Sequence, residues 1–351
     1  MEFGVVFAPK VTHHELVALA ERLGFHQAWF YDSQMIYSDV YATMALAADR
    51  TRRIRLATGV AVPSTRMAPV IAHSIATINE LAPGRVELGV GAGNTARLTM
   101  GLRPLPLQRL KRELRLVRTL LDGGTGVLRE EGEEHLVRFL HPDHGFINLR
   151  DRIPITLSAL GPKTLEFCGA EMDGHLTWMA SPEQLAEARR LLGAAARTAG
   201  RDPERIPSKG IFPTAVLQRG ETAASPRVIR SLESFMTNFL HVQVEWGSGL
   251  LPPSPRVADV IERYRAHAAK LPPETRHLTL HEGHLVYARE DERPFLVPEL
   301  VDVVALAGEP DALIERIRAL ERAGLSHFAF QVTDDPERQI RDFAGLVMSR
   351  Y

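Results

Sequence analysis

The chain has 351 residues, of which 45% are hydrophobic and 24% charged, a globular composition that excludes disordered and fibrous classes. Lysine plus arginine number 42 against 43 aspartate plus glutamate, and a net charge of −1 carries no general pull toward nucleic acid or an anionic membrane. A single cysteine, Cys168, excludes an intramolecular disulfide and a multi-cysteine metal cage, and its apolar neighbours predict a buried, inert thiol.

The opening MEFGVVFAPK has no basic segment before its short apolar run, so no signal peptide is expected, and no stretch reaches the roughly 18–20 apolar residues of a membrane span. A cytoplasmic protein is the expectation. Residues 2–8 read as a strand. Thr12 with Glu15 three residues on reads as a capping box, opening a helix that carries Leu16, Leu19, Ala20 and Leu23 on one face and stops at Gly24. Residues 27–31 form the next predicted strand, 40–49 a helix, 53–62 a strand and 67–81 a helix ended by Pro83-Gly84. The pattern continues with strand 85–91 and a helix over 105–122. A hairpin or loop is expected over 123–148, followed by strand 153–158, helix 162–171, strand 174–179, helix 182–199 and strand 208–217.

Apolar strands alternating with amphipathic helices imply a parallel sheet covered by helices. A repeated joint favours closure of that sheet. Glu21-Arg22-Leu23-Gly24-Phe25 leads into a strand ending at Asp32, and Glu321-Arg322-Ala323-Gly324-Leu325 leads into one over 327–332. The expected fold is therefore a (β/α)8 TIM barrel forming a single domain over 1–351. Residues 218–300, rich in proline, read as a helical lid over the barrel mouth, a separate second domain being the other reading.

In a barrel the chemistry sits at the carboxyl ends of the strands. Asp32 ends strand two, as a mouth carboxylate or as a turn residue capping the next loop. Strand three ends Gly59-Val60-Ala61-Val62. Strand four ends Gly89-Val90-Gly91-Ala92-Gly93-Asn94, where the glycines suit either a backbone pressed against a flat or anionic ligand or a tight turn. Strand five ends Ser158-Ala159-Leu160-Gly161-Pro162-Lys163-Thr164. There a proline-initiated helix with a lysine in its first turn reads as a phosphate site or as a plain surface turn. The histidines do not spell a metal site: His13-His14 lie at a helix start, His281 and His284 flank Glu282-Gly283 without the HExxH spacing, and His73 and His175 are isolated. A Rossmann GxGxxG and a GxSxG elbow are both absent.

Taken in order, the Asp32 strand end, Gly59 to Pro63 with Thr65-Arg66, Asn79 to Arg85, Gly89 to Gly93 and Ser158 to Thr164 resemble the bacterial luciferase-like superfamily. The closest likeness is to its coenzyme F420-dependent branch, which includes methylenetetrahydromethanopterin reductase. Ala305 to Gly324 is similar to the family's closing helix before strand eight. The resemblance covers most of the chain. It implies a non-proline cis peptide at Gly59-Val60, in a bulge where Gly59, Val60 and Ala61 back the ring of a deazaflavin or flavin. It further implies that Gly91, Gly93 and Asn94 form the glycine-rich turn near the cofactor, and a phosphate turn made by Ala159, Gly161, Pro162, Lys163 and Thr164. Asp32 matches an acidic or polar position near the ring and substrate. Since the protein must supply a proton donor or acceptor, Asp32 is the candidate for that role, with His284 and His175 as runners-up. The branch often has Asn where Val62 stands and Asp where Asn94 stands.

The activity implied is hydride transfer between F420 and a small organic substrate, in a homodimer. The alternatives are a monooxygenase using reduced FMN and dioxygen, and a barrel that binds a ligand without turnover.

Overall fold

A computed structural model describes residues 1–178, 181–246 and 255–351. Eight parallel strands close into a barrel: β1 (Glu2–Phe7), β2 (Gln27–Phe30), β3 (Arg55–Thr58), β4 (Val86–Val90), β5 (Ile155–Ser158), β6 (Gly174–Trp178), β7 (Ser208–Phe212) and β8 (Leu325–Gln331). β1 pairs in parallel with β2 on one side and with β8 on the other, closing the ring. The helix joints that feed these two flanking strands match in conformation as well as sequence. Gly24 has φ +90° and Gly324 +103°, the left-handed state that glycine reaches at little steric cost.

Helices α1 (His14–Arg22), α2 (Val40–Arg50), α3 (Ala68–Leu81), α4 (Asn94–Leu98), α5 (Leu107–Leu121), α6 (Pro162–Glu171) and α7 (Pro182–Thr198) follow the first six strands. Their apolar faces bury one continuous core against the outside of the barrel, including Val17, Met44, Ile71, Leu114 and Phe167. Cys168 lies in this core, where burial pushes its thiol up to about 12 and its Sγ donates to the Gly174 carbonyl, the inert state expected. The expected hairpin is present as Gly126–Glu130 paired antiparallel with Glu133–Val137.

Three local expectations are corrected. Thr12 caps nothing: residues Val11–His13 form a 3-10 turn, closed by His13 N–H to the Lys10 carbonyl, and α1 begins at His14 without a side-chain cap. β3 stops at Thr58 rather than at Val62, because the chain bulges and Ala61 bonds instead to Gly89 of β4 and to Gly91 just beyond it. β7 stops at Phe212 because Pro213 has no N–H to continue the ladder; Thr214–Val216 leaves the barrel and pairs in parallel with Leu306–Gly308. Of the strand expected over 174–179, residue 179 lies outside the described residues.

Between these two short strands the chain makes the expected helical excursion: α8 (Pro226–Glu245), α9 (Ala258–Ala268), α10 (Arg276–Leu280) and α11 (Pro298–Val304). It buries its own apolar cluster, centred on Leu232, Phe235, Phe239, Ile261 and Val301. α12 (Pro310–Arg322) and α13 (Pro336–Leu346) then complete the outer ring.

Inside the barrel the side chains are layered. The lower layer is polar: Glu87 accepts from Lys209 Nζ at 2.5 Å, from Gln27 at 2.8 Å and from Thr156 at 2.5 Å. Above it, Trp29, Leu176, Ile211 and Ala329 form an apolar plug, with Trp29 Nε1 donating to His327 at 3.1 Å. The plug is the floor of what lies above.

Candidate functional site

At the carboxyl ends of the strands a cavity of about 360 Å3 opens above this plug. That volume suits one small ligand or part of a larger cofactor. Its walls come from the ends of β2 to β7 and, on the far side, from Asn238, Val242, Glu245 and Trp246 of the excursion together with His281, His284 and Leu285. Of the residues singled out in the sequence, Asp32, Gly59, Val60, Gly91, Gly93, Asn94, Gly161, Thr164 and His284 all line it.

One wall is the bulge after β3. The Gly59-Val60 peptide is cis, as the family resemblance implies. Ala61 does not face the cavity; it is buried behind the bulge, its N–H donating to Gly89 O at 2.8 Å and its carbonyl accepting from Gly91 at 3.0 Å. The bulge explains the glycines at the end of β4. A Cβ at Gly89 would lie 2.0 Å from the Thr58 carbonyl oxygen, one at Gly91 2.7 Å from Val60 Cγ2, and one at Gly93 2.5 Å from Val62 Cγ1. Gly93 also has φ +82°. Every second residue from Gly89, in β4, to Gly93, beyond it, is therefore glycine because the displaced chain after β3 presses on this stretch. Gly91 and Gly93 reach the cavity as a consequence.

A neighbouring wall is built by the β5–α6 turn. Gly161 is extended at the start of α6, Pro162 occupies the first helical position, and Thr164 and Leu165 both donate to the Gly161 carbonyl. A Cβ at Gly161 would meet nothing within 4 Å. Pro162 has no N–H and Thr164 N–H is taken by Gly161, so Lys163 N–H is the first-turn donor left without a helical acceptor, the kind of group that favours an anion. Ser158 and Thr164 bring hydroxyl groups to the same wall. Pro162 and Lys163 are exposed beside the turn and not part of the cavity wall, while Ala159 is buried behind it.

Asp32 is 4% exposed. Arg66 Nη1 donates to both of its carboxylate oxygens at 2.7 and 2.6 Å, and Gln34 donates to one at 2.6 Å. Burial pushes the carboxyl above its ordinary range, against the opposing pull of Arg66. A carboxylate has about four lone-pair positions. These three bonds leave one open for a proton.

His175 sits elsewhere. Its ring is fully buried in the barrel wall, bonded to Ser208 Oγ at 3.0 Å and to the Ala159 carbonyl at 2.9 Å, and it does not line the cavity. Burial holds it at about 4, so it is neutral and structural.

His284 is not alone. The histidine spacing predicted no metal site, yet the fold gathers His241, His281 and His284 so that one ring nitrogen of each lies within 4.8 Å of the others. His281 Nδ1 faces His284 Nδ1 at 3.1 Å, His281 Nε2 meets Glu245 at 2.9 Å, and His284 Nε2 meets Thr95 Oγ1 at 3.1 Å. His241 Nε2 meets Glu292 at 2.6 Å, and Glu292 also accepts from Tyr264 at 2.6 Å. Burial, reinforced by the two neighbouring imidazoles, drives His284 well below its ordinary value. The sequence alone assigns no role to His241, Glu245, Thr95, Arg66 or Trp246. One signal was available, the His241–Glu245 pair one turn apart on α8; the rest comes from chain segments far apart in sequence.

Against known proteins, the family description "Luciferase-like monooxygenase" matches residues 2–327. A 5,10-methylenetetrahydromethanopterin reductase of Archaeoglobus fulgidus is 28% identical over 333 residues, covering 93% of this chain and 92% of the reductase. The enzyme of the same name from Methanolobus tindarius is 34% identical over 213 residues, 59% of this chain and 63% of that protein's length. In structure, an F420-dependent secondary alcohol dehydrogenase in complex with an F420-acetone adduct superposes with a TM-score of 0.72 at 17% identity, covering 100% of this chain and 99% of its own. The chain belongs to the luciferase-like monooxygenase family of barrel enzymes.

Proposed function

We propose that the protein is a coenzyme F420-dependent oxidoreductase acting on a small organic substrate. The observation that carries this is the lining of the cavity. It combines apolar side chains from the β3 bulge and the Leu176–Trp178 strand end with the amino terminus of α6. These residues fit a planar tricycle with a phosphate tail: Val60, Leu176, Trp178 and Ile211 supply apolar contact, while the hydroxyls of Ser158 and Thr164 and the N–H of Lys163 supply donors. When bound, a deazaflavin supplies a hydride donor or acceptor.

The chain's own part is positioning and proton handling. Asp32, raised by burial and held by Arg66, takes or returns the proton of a substrate hydroxyl in the cavity. α8 and the His281–Leu285 segment line the cavity from outside the barrel, and their role is to limit water around the bound substrate. The family resemblance also supports a cytoplasmic homodimer, and light scattering of the purified chain tests the oligomeric state.

The second reading, reduced FMN with dioxygen, draws on the family's description as monooxygenases and would use the same phosphate site. The three tryptophans separate the two. Trp178 and Trp246 line the cavity, and Trp29 lies in the plug beneath it. Titration with F420 should quench their fluorescence saturably, and FMN should bind more weakly. Saturable quenching by FMN with none by F420 would reverse the assignment. No response to either would leave a barrel without a redox cofactor.

A further inference from the structure

The three histidines differ in which nitrogen is engaged. Each Nε2 has a fixed partner: Glu292 for His241, Glu245 for His281 and Thr95 Oγ1 for His284. The two carboxylates accept only, so they select the tautomer with hydrogen on Nε2 and leave Nδ1 as a bare lone pair. His241 Nδ1 is buried, in a residue 1% exposed, and meets no hydrogen-bond partner among the described residues. His281 Nδ1 and His284 Nδ1 face one another at 3.1 Å. The Thr95 hydroxyl can donate or accept, so His284 has two tautomers. With hydrogen on Nδ1 it donates to His281 Nδ1, and with hydrogen on Nε2 the two Nδ1 lone pairs face one another, an arrangement that a cation between them satisfies.

We propose that His241, His281 and His284 bind a divalent transition metal through their Nδ1 atoms, zinc being the first choice, with Glu292 and Glu245 orienting two of the rings. The spacing supports this. Nitrogens bound at 2.0–2.1 Å around a tetrahedral zinc stand about 3.3 Å apart, close to the His281–His284 separation. The backing is the carboxylate–histidine arrangement that fixes ring orientation and raises ligand basicity in metal sites. Three imidazoles suit zinc, copper, iron or nickel, and exclude magnesium and calcium, which take oxygen. Three protein ligands leave a fourth position open. Because His281, His284, Glu245 and Thr95 all line the cavity, a carbonyl or hydroxyl oxygen of the substrate can fill that position. The site would thus add a Lewis acid to the cavity wall beyond what the deazaflavin reading requires. It stands or falls independently of that reading.

The test is metal binding itself. Protein stripped by a chelator and titrated with zinc chloride should take up one zinc per chain by calorimetry and elemental analysis. Cobalt in its place should give the visible bands of a four-coordinate nitrogen site. Glu245→Gln should weaken zinc binding about 10–100-fold, and His241→Ala by at least as much. His144→Ala, which removes one of an exposed surface pair with His141, should leave it unchanged. If His241→Ala does not fold, as judged by circular dichroism, the wild-type titration and Glu245→Gln still decide. No zinc uptake by the wild-type chain, unchanged affinity in Glu245→Gln, or loss of binding in His144→Ala would overturn the proposal and leave the cluster as a hydrogen-bonded chain.

Discussion

If the end of β4 is glycine-rich because the β3 bulge presses on it, Gly91→Ala destabilises the fold through Val60 and not through a ligand. Ordinary carbon contacts lie at about 3.5–4.0 Å, and the added methyl would stand 2.7 Å from Val60 Cγ2, roughly 1 Å too close. Gly91 has no positive φ, so its backbone tolerates alanine and the clash is the whole cost. Valine cannot swing away easily, since its branched Cβ restricts χ1 and its own Cβ would lie only 3.7 Å from the new methyl. Overpacking of this kind costs about 1–3 kcal/mol. Val60→Ala removes the obstruction at a smaller cost, because Val60 is partly exposed in the cavity. Thermal unfolding of wild type, both single variants and the double variant forms a complete cycle. Gly91→Ala should be the least stable, and the double variant should return close to Val60→Ala. Additive losses in the double variant would show that Val60 is not the obstruction. Loss of cofactor binding in Gly91→Ala with unchanged stability would restore the ligand as the reason for the glycine.

In the barrel floor, Glu87→Leu strands the Lys209 ammonium in a buried layer and should cost about 3–5 kcal/mol in denaturant unfolding, most of it recovered by adding Lys209→Met; equal losses in both variants would refute this. His175 and His327 are both held at about 4 by burial, so the folded state stays neutral while the unfolded state takes up protons below about 6.5. Stability is therefore complete above that pH and falls as pH drops from 6.5 toward 4, by at most about 3 kcal/mol per ring. His175→Gln should flatten part of the slope of Tm against pH, and an unchanged slope would count against the assignment. Lys163→Ala should weaken binding of the phosphate-bearing cofactor about 2–5-fold with little change in Tm, since the side chain is exposed. An unchanged Kd would remove Lys163 from the phosphate site.

Much of the architecture was legible from local pattern. Period-3.6 helices capped by Gly24 or ended at Pro83-Gly84, and short apolar strands between them, follow from side-chain packing and backbone φ preference, which act over a few residues. The repeated Glu-Arg-x-Gly joint correctly marked the two strands that flank β1. Errors fell where a distant chain segment intervened. β3 was read four residues too long because its apolar run continues through Val62, while the bulge there is set by bonds to β4 about 30 residues on. Thr12 has the composition of a cap, but a 3-10 turn closed on Lys10 displaced it.

At the site the division is similar. Asp32, the glycines of β4 and the Gly161 turn could be found because each lies at a strand end, and strand ends meet at one face of a barrel. The Arg66 grip on Asp32, the structural burial of His175 and the meeting of His241 with His281 and His284 could not. Sequence by itself determined which segments are strands and helices and which ends carry polar or glycine residues, since those preferences are local. Only the tertiary structure decided which side chains share a cavity, because burial and hydrogen-bond partners depend on contacts between segments that nothing in the linear order brings together.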